Sequence, residues 1–249
     1  MIPWFQFHTY SIGPITLQVW GTFVAIGFLV GTWVAVKRAQ QLGLNHKLIW
    51  DFAFWIFIAA MIGSRIFHAL FYGLDYYIQH PWAAIDPREP GYAIMGGLLS
   101  AAGTFFFLVH KHRLNWIEYA DAMIWGVPWG CGIGRIGCFL IHDHPGTASD
   151  FFLAVQYPDG VKRHDHGLYL SIVGFTIAIV FLIIARKKRP PLFYFGLFLL
   201  LDGLSRFILD FYRIIDARYF YLTPTQWVSI VFVGLGLAML FKRETFLRK

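Results

Sequence analysis

Charge is scarce in this chain: Asp, Glu, Lys and Arg make up 14% of its 249 residues, against about a quarter in an ordinary soluble domain. With 57% hydrophobic residues and a mean hydropathy of +0.56, that scarcity excludes a soluble globular domain. Cysteine is scarcer still. Cys131 and Cys138 lie seven residues apart in one apolar stretch, and along a helix a disulfide could not bridge them. No linker, low-complexity tract or internal repeat divides the chain, so residues 1–249 read as a single integral membrane domain.

Long apolar runs are what the chain has instead. Seven stretches, at about 17–36, 48–71, 92–110, 120–141, 168–185, 192–211 and 226–241, can each span a hydrocarbon core as a helix of about 20 residues. Backbone left unpaired in lipid costs several kcal/mol, so the expected fold is all-α, a polytopic membrane protein with seven transmembrane helices. The first run is too long, and lacks the basic N-terminal flank, for a cleaved signal peptide. Thirteen of the 21 Lys and Arg residues fall at 37–47, 111–113, 186–189 and in the tail from 242. The excess of positive charge on the cytoplasmic side then puts the N-terminus outside and the C-terminus in the cytoplasm. Basic flanks facing anionic lipid also account for the net charge of +7 without a nucleic-acid partner.

Three arginines stand inside predicted helices. Arg65, Arg135 and Arg206 each fall five to seven residues from the outer end of their helix, roughly 8–11 Å below the interface. A charge at that depth is paired, turned inward or functional. Arg206 has Asp202 and Asp210 at four-residue spacing, so it either pairs on its own helix or faces lipid. Arg135 has no acid within four residues and is set among Gly126, Gly130, Gly132, Gly134 and Gly137, a small-residue face suited to close helix packing. A guanidinium offers a fixed fork of donors to phosphate oxygens, so a phospholipid headgroup is the expected partner of Arg135.

The tripeptide His-Asp-His occurs twice on the same side, in "FLIHDHPG" (139–146) and "VKRHDHGLY" (161–169). Metal ligation, an incidental solvated loop and proton handling are the three readings. Adjacent residues rarely aim at one ion and no His-x-x-x-His pair accompanies them, so no metal and no cofactor is expected. Imidazole exchanges protons near neutral pH, and proton handling next to a lipid site is the reading carried forward.

The order of these features resembles the prolipoprotein diacylglyceryl transferase family over most of the chain. "SIGPITLQVWG" looks like the family's opening, "GSRIFHALFY" its second-helix arginine segment, and "GYAIMGGL" stands in the place of its His-Gly-Gly motif. "GRIGCFLIHDHPG" lies over the signature Gly-Arg-x-Gly-Asn-Phe-x-Asn-x-Glu-x-x-Gly, "RHDHGLY" resembles part of the next motif, and "SRFILDFYR" with "TQWVSI" resembles the C-terminal arginine pair and last helix. The resemblance implies an enzyme of the bacterial inner membrane that moves a diacylglyceryl group from phosphatidylglycerol, or a similar anionic phospholipid, to the lipobox cysteine of a lipoprotein precursor. It implies that Arg135 holds the phosphate, with Gly134 and Gly137 matching outright, Arg206 and Arg213 as the C-terminal arginines, and Arg65, Trp20 and Met95 at substrate-binding positions. Met95 replaces a histidine, Trp20 a tyrosine, Cys138 and Ile141 two asparagines, Asp143 the glutamate, and Leu170 a glutamate. His142, His144, His164 or His166 is therefore the expected replacement for the lost base, with His142 or His144 oriented by Asp143 the best local pair, acting with Arg206. The alternatives are a transferase with another acceptor, a non-catalytic lipid-binding or scaffold relative, and a proton or solute transporter; crowding of the charges into one half of the membrane argues against the last.

Overall fold

The computed structural model describes residues 1–84, 91–214 and 218–241. It is mostly helical: α1 Val19–Gln41, α2 Lys47–Phe71, α3 Leu74–Gln79, α4 Ile94–Lys111, α5 Trp116–Met123, α6 Val127–Ile141, α7 His166–Ile184, α8 Phe193–Leu209 and α9 Pro224–Phe241. Five helical stretches are long and apolar enough to cross a membrane: Val19–Gln41, Lys47–Phe71, Trp116–Ile141, His166–Ile184 and Pro224–Phe241. The third and sixth expected spans are shorter helices. α4 has 18 residues and α8 has 17, and 17 residues rise only about 25 Å. α8 is cut short by a left-handed residue, Leu192 (φ 62°), at its start and by a 3₁₀ turn at Asp210–Tyr212.

The all-α expectation needs one correction, because two small sheets accompany the helices. β1 (Thr9–Ile12) and β2 (Ile15–Gln18) form a hairpin ahead of α1. The connection between α6 and α7 folds as an antiparallel three-stranded sheet of β3 (Pro145–Ala148), β4 (Val155–Gln156) and β5 (Lys162–Asp165), in the order β3-β5-β4. Residues outside the hydrocarbon have water and strand partners for their backbone groups, so the bilayer's demand for helix does not extend to them.

The chain divides into two compact units, Met1–Leu42 with Ala120–Lys249, and Gly43–Tyr119. In the first, α6 is held between α1 and α7 by backbone contact. A Cβ on Gly27 would stand 2.6 Å from the Gly130 carbonyl oxygen and one on Gly31 2.8 Å from that of Gly126. On the opposite face, a Cβ on Gly174 would meet Gly132 N at 2.7 Å and one on Gly167 would meet Phe139 N at 2.5 Å. Ser171 Oγ donates to the Gly132 carbonyl at 2.8 Å across this contact. Small residues are what allow helix backbones to approach so closely. An apolar core of Ile124, Trp125, Ile177, Phe181, Tyr194, Phe198 and Leu199 fills the end of this unit away from Arg135.

The second unit is organised around α2 and α4. Its Arg65 is 7% exposed and donates to the carbonyls of Gly91 (2.9 Å) and Ala83 (2.5 Å). The guanidinium also lies over the rings of Tyr77 and Tyr92. Met95 is half-buried in the first turn of α4.

The glycine contacts predict a contrast. Gly31→Val should cost about 1–3 kcal/mol through overpacking, seen as a lower unfolding midpoint in detergent. Gly234→Ala, whose Cβ meets nothing within 4 Å, should leave the midpoint unchanged or raise it slightly.

Candidate functional site

Titratable side chains gather at the end of α6. Its last helical residue is Ile141, and His142 follows as a left-handed C-cap (φ 49°, ψ 45°), a conformation that costs a side chain about 1–2 kcal/mol. The cost is offset by what the imidazole does. His142 Nδ1 donates to Asp165 Oδ2 at 2.6 Å, with both side chains essentially inaccessible. Trp4 stacks on the ring at 4.7 Å between centroids, with Phe5, Phe139 and Tyr157 around it. Asp165 also accepts from Leu168 N (3.0 Å), capping α7, and from the Tyr157 hydroxyl (3.4 Å). An N-cap acid satisfies an otherwise orphaned helix amide.

The two His-Asp-His copies therefore interlock. The first histidine of the first copy bonds the aspartate of the second, Pro145 pairs with Asp165 in the β3–β5 ladder, and His166 N donates to the His144 carbonyl at 3.3 Å. His166 Nε2 in turn donates to the Leu209 carbonyl at 2.9 Å, which ties the sheet to the end of α8. His164 bonds the Tyr169 hydroxyl at 2.7 Å and packs on Tyr212.

The remaining members of the first copy point elsewhere. After the turn at His142, Asp143 and His144 return over the last turn of α6, with Asp143 Oδ2 at 3.5 Å from His144 Nε2 and both side chains about one-third exposed (32% and 34%). Cys138 Sγ, an oxygen of Asp143 and a nitrogen of His144 lie within 4.8 Å of one another. Arg135 joins them, its Nη1 3.8 Å from Cys138 Sγ, and among the described residues it makes no ion pair. Burial pushes the Asp143 carboxyl up from its ordinary range, against the pull of His144 and Arg135. Burial also pushes the His144 imidazole down; Arg135 and Arg213 add to that, and Asp143 opposes it.

The other expected residues are placed as follows. Arg206 donates to Asp202 Oδ2 at 2.7 Å on its own helix, the pairing its spacing allowed. Arg213 pairs with Asp210 Oδ1 at 3.4 Å and its backbone bridges Gly146. Gly137 is a packing position, since a Cβ there would press on Phe23 Cβ (2.9 Å) and Trp20 Cα (3.2 Å). Gly134 has room for a Cβ, with only Val24 at 4.0 Å. Trp20 itself is 45% exposed. Arg65 and Met95 belong to the other unit. Asp143 does not orient His142, which is bonded to Asp165, so the acid–base pair that remains accessible is Asp143 with His144. Asp165, Tyr157 and Trp4 escaped the sequence reading. Asp165 carried one signal, an acid directly before an apolar helical run.

The chain matches the family model described as prolipoprotein diacylglyceryl transferase over residues 8–242. It is 30% identical over 241 residues to the phosphatidylglycerol–prolipoprotein diacylglyceryl transferase of Pseudomonas paraeruginosa, covering 92% of this chain and 90% of that one. It is 34% identical over 221 residues to the protein of the same name from Mannheimia succiniciproducens, covering 87% and 82%. A third, from Pasteurella multocida, is 33% identical over 221 residues, again covering 87% and 82%.

The two aspartates should behave differently on mutation. Asp165→Ala strands a buried imidazole and uncaps α7, and should destabilise by about 2–4 kcal/mol. Asp143→Ala removes a partly exposed contact worth less than about 1 kcal/mol. Unfolding midpoints of the two purified variants against the parent protein measure the difference.

Proposed function

The chain belongs to the prolipoprotein diacylglyceryl transferase family, and from that premise we propose that it moves the diacylglyceryl group of phosphatidylglycerol to the lipobox cysteine of a lipoprotein precursor. On this reading it resides in a bacterial inner membrane with seven spans, α4 and α8 included, and its N-terminus outside. The lipid site lies at the outer end of α6.

The observation that carries the reading is Arg135, a guanidinium in an apolar helix with no acid within ion-pairing distance among the described residues, beside an accessible imidazole–carboxylate pair. Arg135 takes the phosphate diester in its fork of donors. Arg213, close enough to His144 to act on its charge, adds positive potential while held by Asp210. Arg206 is paired with Asp202 on its own helix and supports α8.

The reaction needs a thiolate and a stabilised leaving group. The acceptor thiol, with a pKa near about 8.5 when free, gives its proton to His144. Its sulfur then attacks the glyceryl carbon that bears the phosphate. The C–O bond breaks, a C–S bond forms, and glycerol phosphate departs with the bonding electrons and the ester oxygen. Arg135 stabilises the charge gathering on that phosphate, and Asp143 stabilises the imidazolium as it forms. Met95 has no basic atom, so the proton acceptor comes from elsewhere on the outer face, and His144 at the α6 end is the accessible imidazole close to Arg135. His142 cannot serve as that acceptor, because its ring is enclosed by Trp4 and Phe5 and its Nδ1 is committed to Asp165. His164 keeps the Tyr169–Tyr212 corner together.

The decisive test is expression in cells depleted of their own lipoprotein transferase, followed by mass spectrometry of a lipobox peptide. A diacylglyceryl increment is expected. Phospholipid binding with no transfer to any lipobox peptide would replace the enzyme with the scaffold reading. Arg135→Ala should lower transfer about 100-fold or more, with Arg135→Lys intermediate because it keeps charge and loses the fork.

The same mechanism fixes a pH dependence. A base works deprotonated, so transfer should fall as pH drops through the His144 pKa. Since burial depresses that pKa, the acid limb should have its midpoint below the ordinary imidazole value of about 6.5. His144→Gln should remove this limb and cost about 100-fold or more, measured as rate against pH.

A further inference from the structure

Cys138, Asp143 and His144 converge although the sequence pattern argued against a shared ion. Adjacent residues in a tripeptide do not usually aim at one point, and no His-x-x-x-His pair accompanies them. The structure brings the donors together by another route. The left-handed turn at His142, pinned by Asp165, folds Asp143 and His144 back over α6, and Cys138 in the last turn of that helix supplies a third donor atom.

We propose that Cys138, Asp143 and His144 form a zinc-binding site at the end of α6. In a tetrahedral zinc site with bonds of about 2.0–2.3 Å, ligand atoms stand roughly 3.3–3.8 Å apart. Asp143 Oδ2 and His144 Nε2 already have that spacing at 3.5 Å. Cys138 Sγ, within 4.8 Å of both, reaches it with small rotations of the two partly exposed side chains. The donor set of one thiolate, one imidazole and one carboxylate matches zinc or cobalt and does not match magnesium or calcium, which demand oxygen.

Charge and access fit as well. The thiolate and carboxylate together neutralise a divalent ion, and the Arg135 guanidinium stands 3.8 Å from the sulfur. Binding releases the thiol proton and changes no oxidation state. Cys138 is buried, while Asp143 and His144 open to solvent and give the ion its path. Three protein ligands leave the fourth position to water or to an anion beside Arg135. On the proposed transfer reaction, which this consequence rests on, an imidazole nitrogen bound to zinc cannot accept a proton, so the metal-loaded protein is the inactive form.

The test is a cobalt titration of the purified full-length protein in detergent, first stripped with a chelator. One equivalent of Co²⁺ should produce a thiolate-to-cobalt charge-transfer band that one equivalent of Zn²⁺ removes. Cys138→Ser should abolish the band and Cys131→Ser should keep it. His144→Gln and Asp143→Asn, at side chains that are about one-third exposed and disturb packing little, should each weaken cobalt binding at least tenfold. A folded parent protein without the band, a band that follows Cys131, or affinity unmoved by His144→Gln and Asp143→Asn would overturn the site. The band is read without any transfer, so failure of the transferase reading leaves this test standing.

Discussion

The hydrogen bond between His142 and Asp165 is the constraint on which the architecture around the end of α6 depends. It joins residues 23 apart in sequence, holds His142 in a left-handed conformation, caps α7 through the same carboxylate and fixes the register of β3 against β5. Each consequence supports the others. The cap needs the aspartate where β5 ends, the β3–β5 pairing delivers that aspartate to the α6 terminus, and the bond itself compensates the strain of the turn. With both partners buried, water does not compete for the bond, which is why removing one partner costs far more than an exposed pair would. Asp143 and His144 owe their position to this turn rather than to each other.

Beneath the turn lies a second constraint, the glycine seams of α6. A helix whose backbone touches α1 on one face and α7 on the other has little freedom to tilt or rotate. An arginine side chain issuing from it has a defined origin. Arg135 is half-buried and has no acid within ion-pairing distance among the described residues, and on the proposed function its partner is the lipid phosphate. The seam fixes where that guanidinium starts from. Arg206 illustrates the other outcome, because Asp202 sits one turn away and answers its charge within the same helix.

Much of this was legible in the sequence, and the boundary of legibility is physical. Helix positions follow from a requirement the bilayer imposes locally, so five long stretches emerge where the apolar runs stand, with α4 and α8 in the places of the other two. The absence of an acid near Arg135 and the presence of Asp202 near Arg206 are facts of i, i+4 spacing, and both survive folding. What could not be read was the pairing of the two His-Asp-His copies. Strand pairing across about 20 residues leaves no periodic signature, and a one-residue change in register would have presented different side chains. The N-terminal residues show the same limit. Ile2 bridges Val155, Phe7 N donates to the Leu140 carbonyl, and Trp4 covers His142; nothing in the polarity of residues 1–8 marks them as a cover for a histidine so far along the chain.

The replaced signature positions acquire a common logic when viewed on the structure. A base on α4, where Met95 now stands, would be positioned by the packing of a different compact unit from the one that positions Arg135. A base on residue 144 shares one helix end with Arg135, and its placement is set by the turn at His142. On the proposed mechanism, loss of the histidine on α4 and gain of a cysteine, an aspartate and a histidine around the α6 terminus therefore gather the proton chemistry and the phosphate contact on a single rigid element. The same compactness has a chemical consequence. The thiol of Cys138, joined to a carboxylate and an imidazole, completes the three-donor set proposed for zinc, a set that an asparagine at residue 138 would lack. On the two proposals together, an active end built this way is easier to hold in register and more open to inhibition by metal.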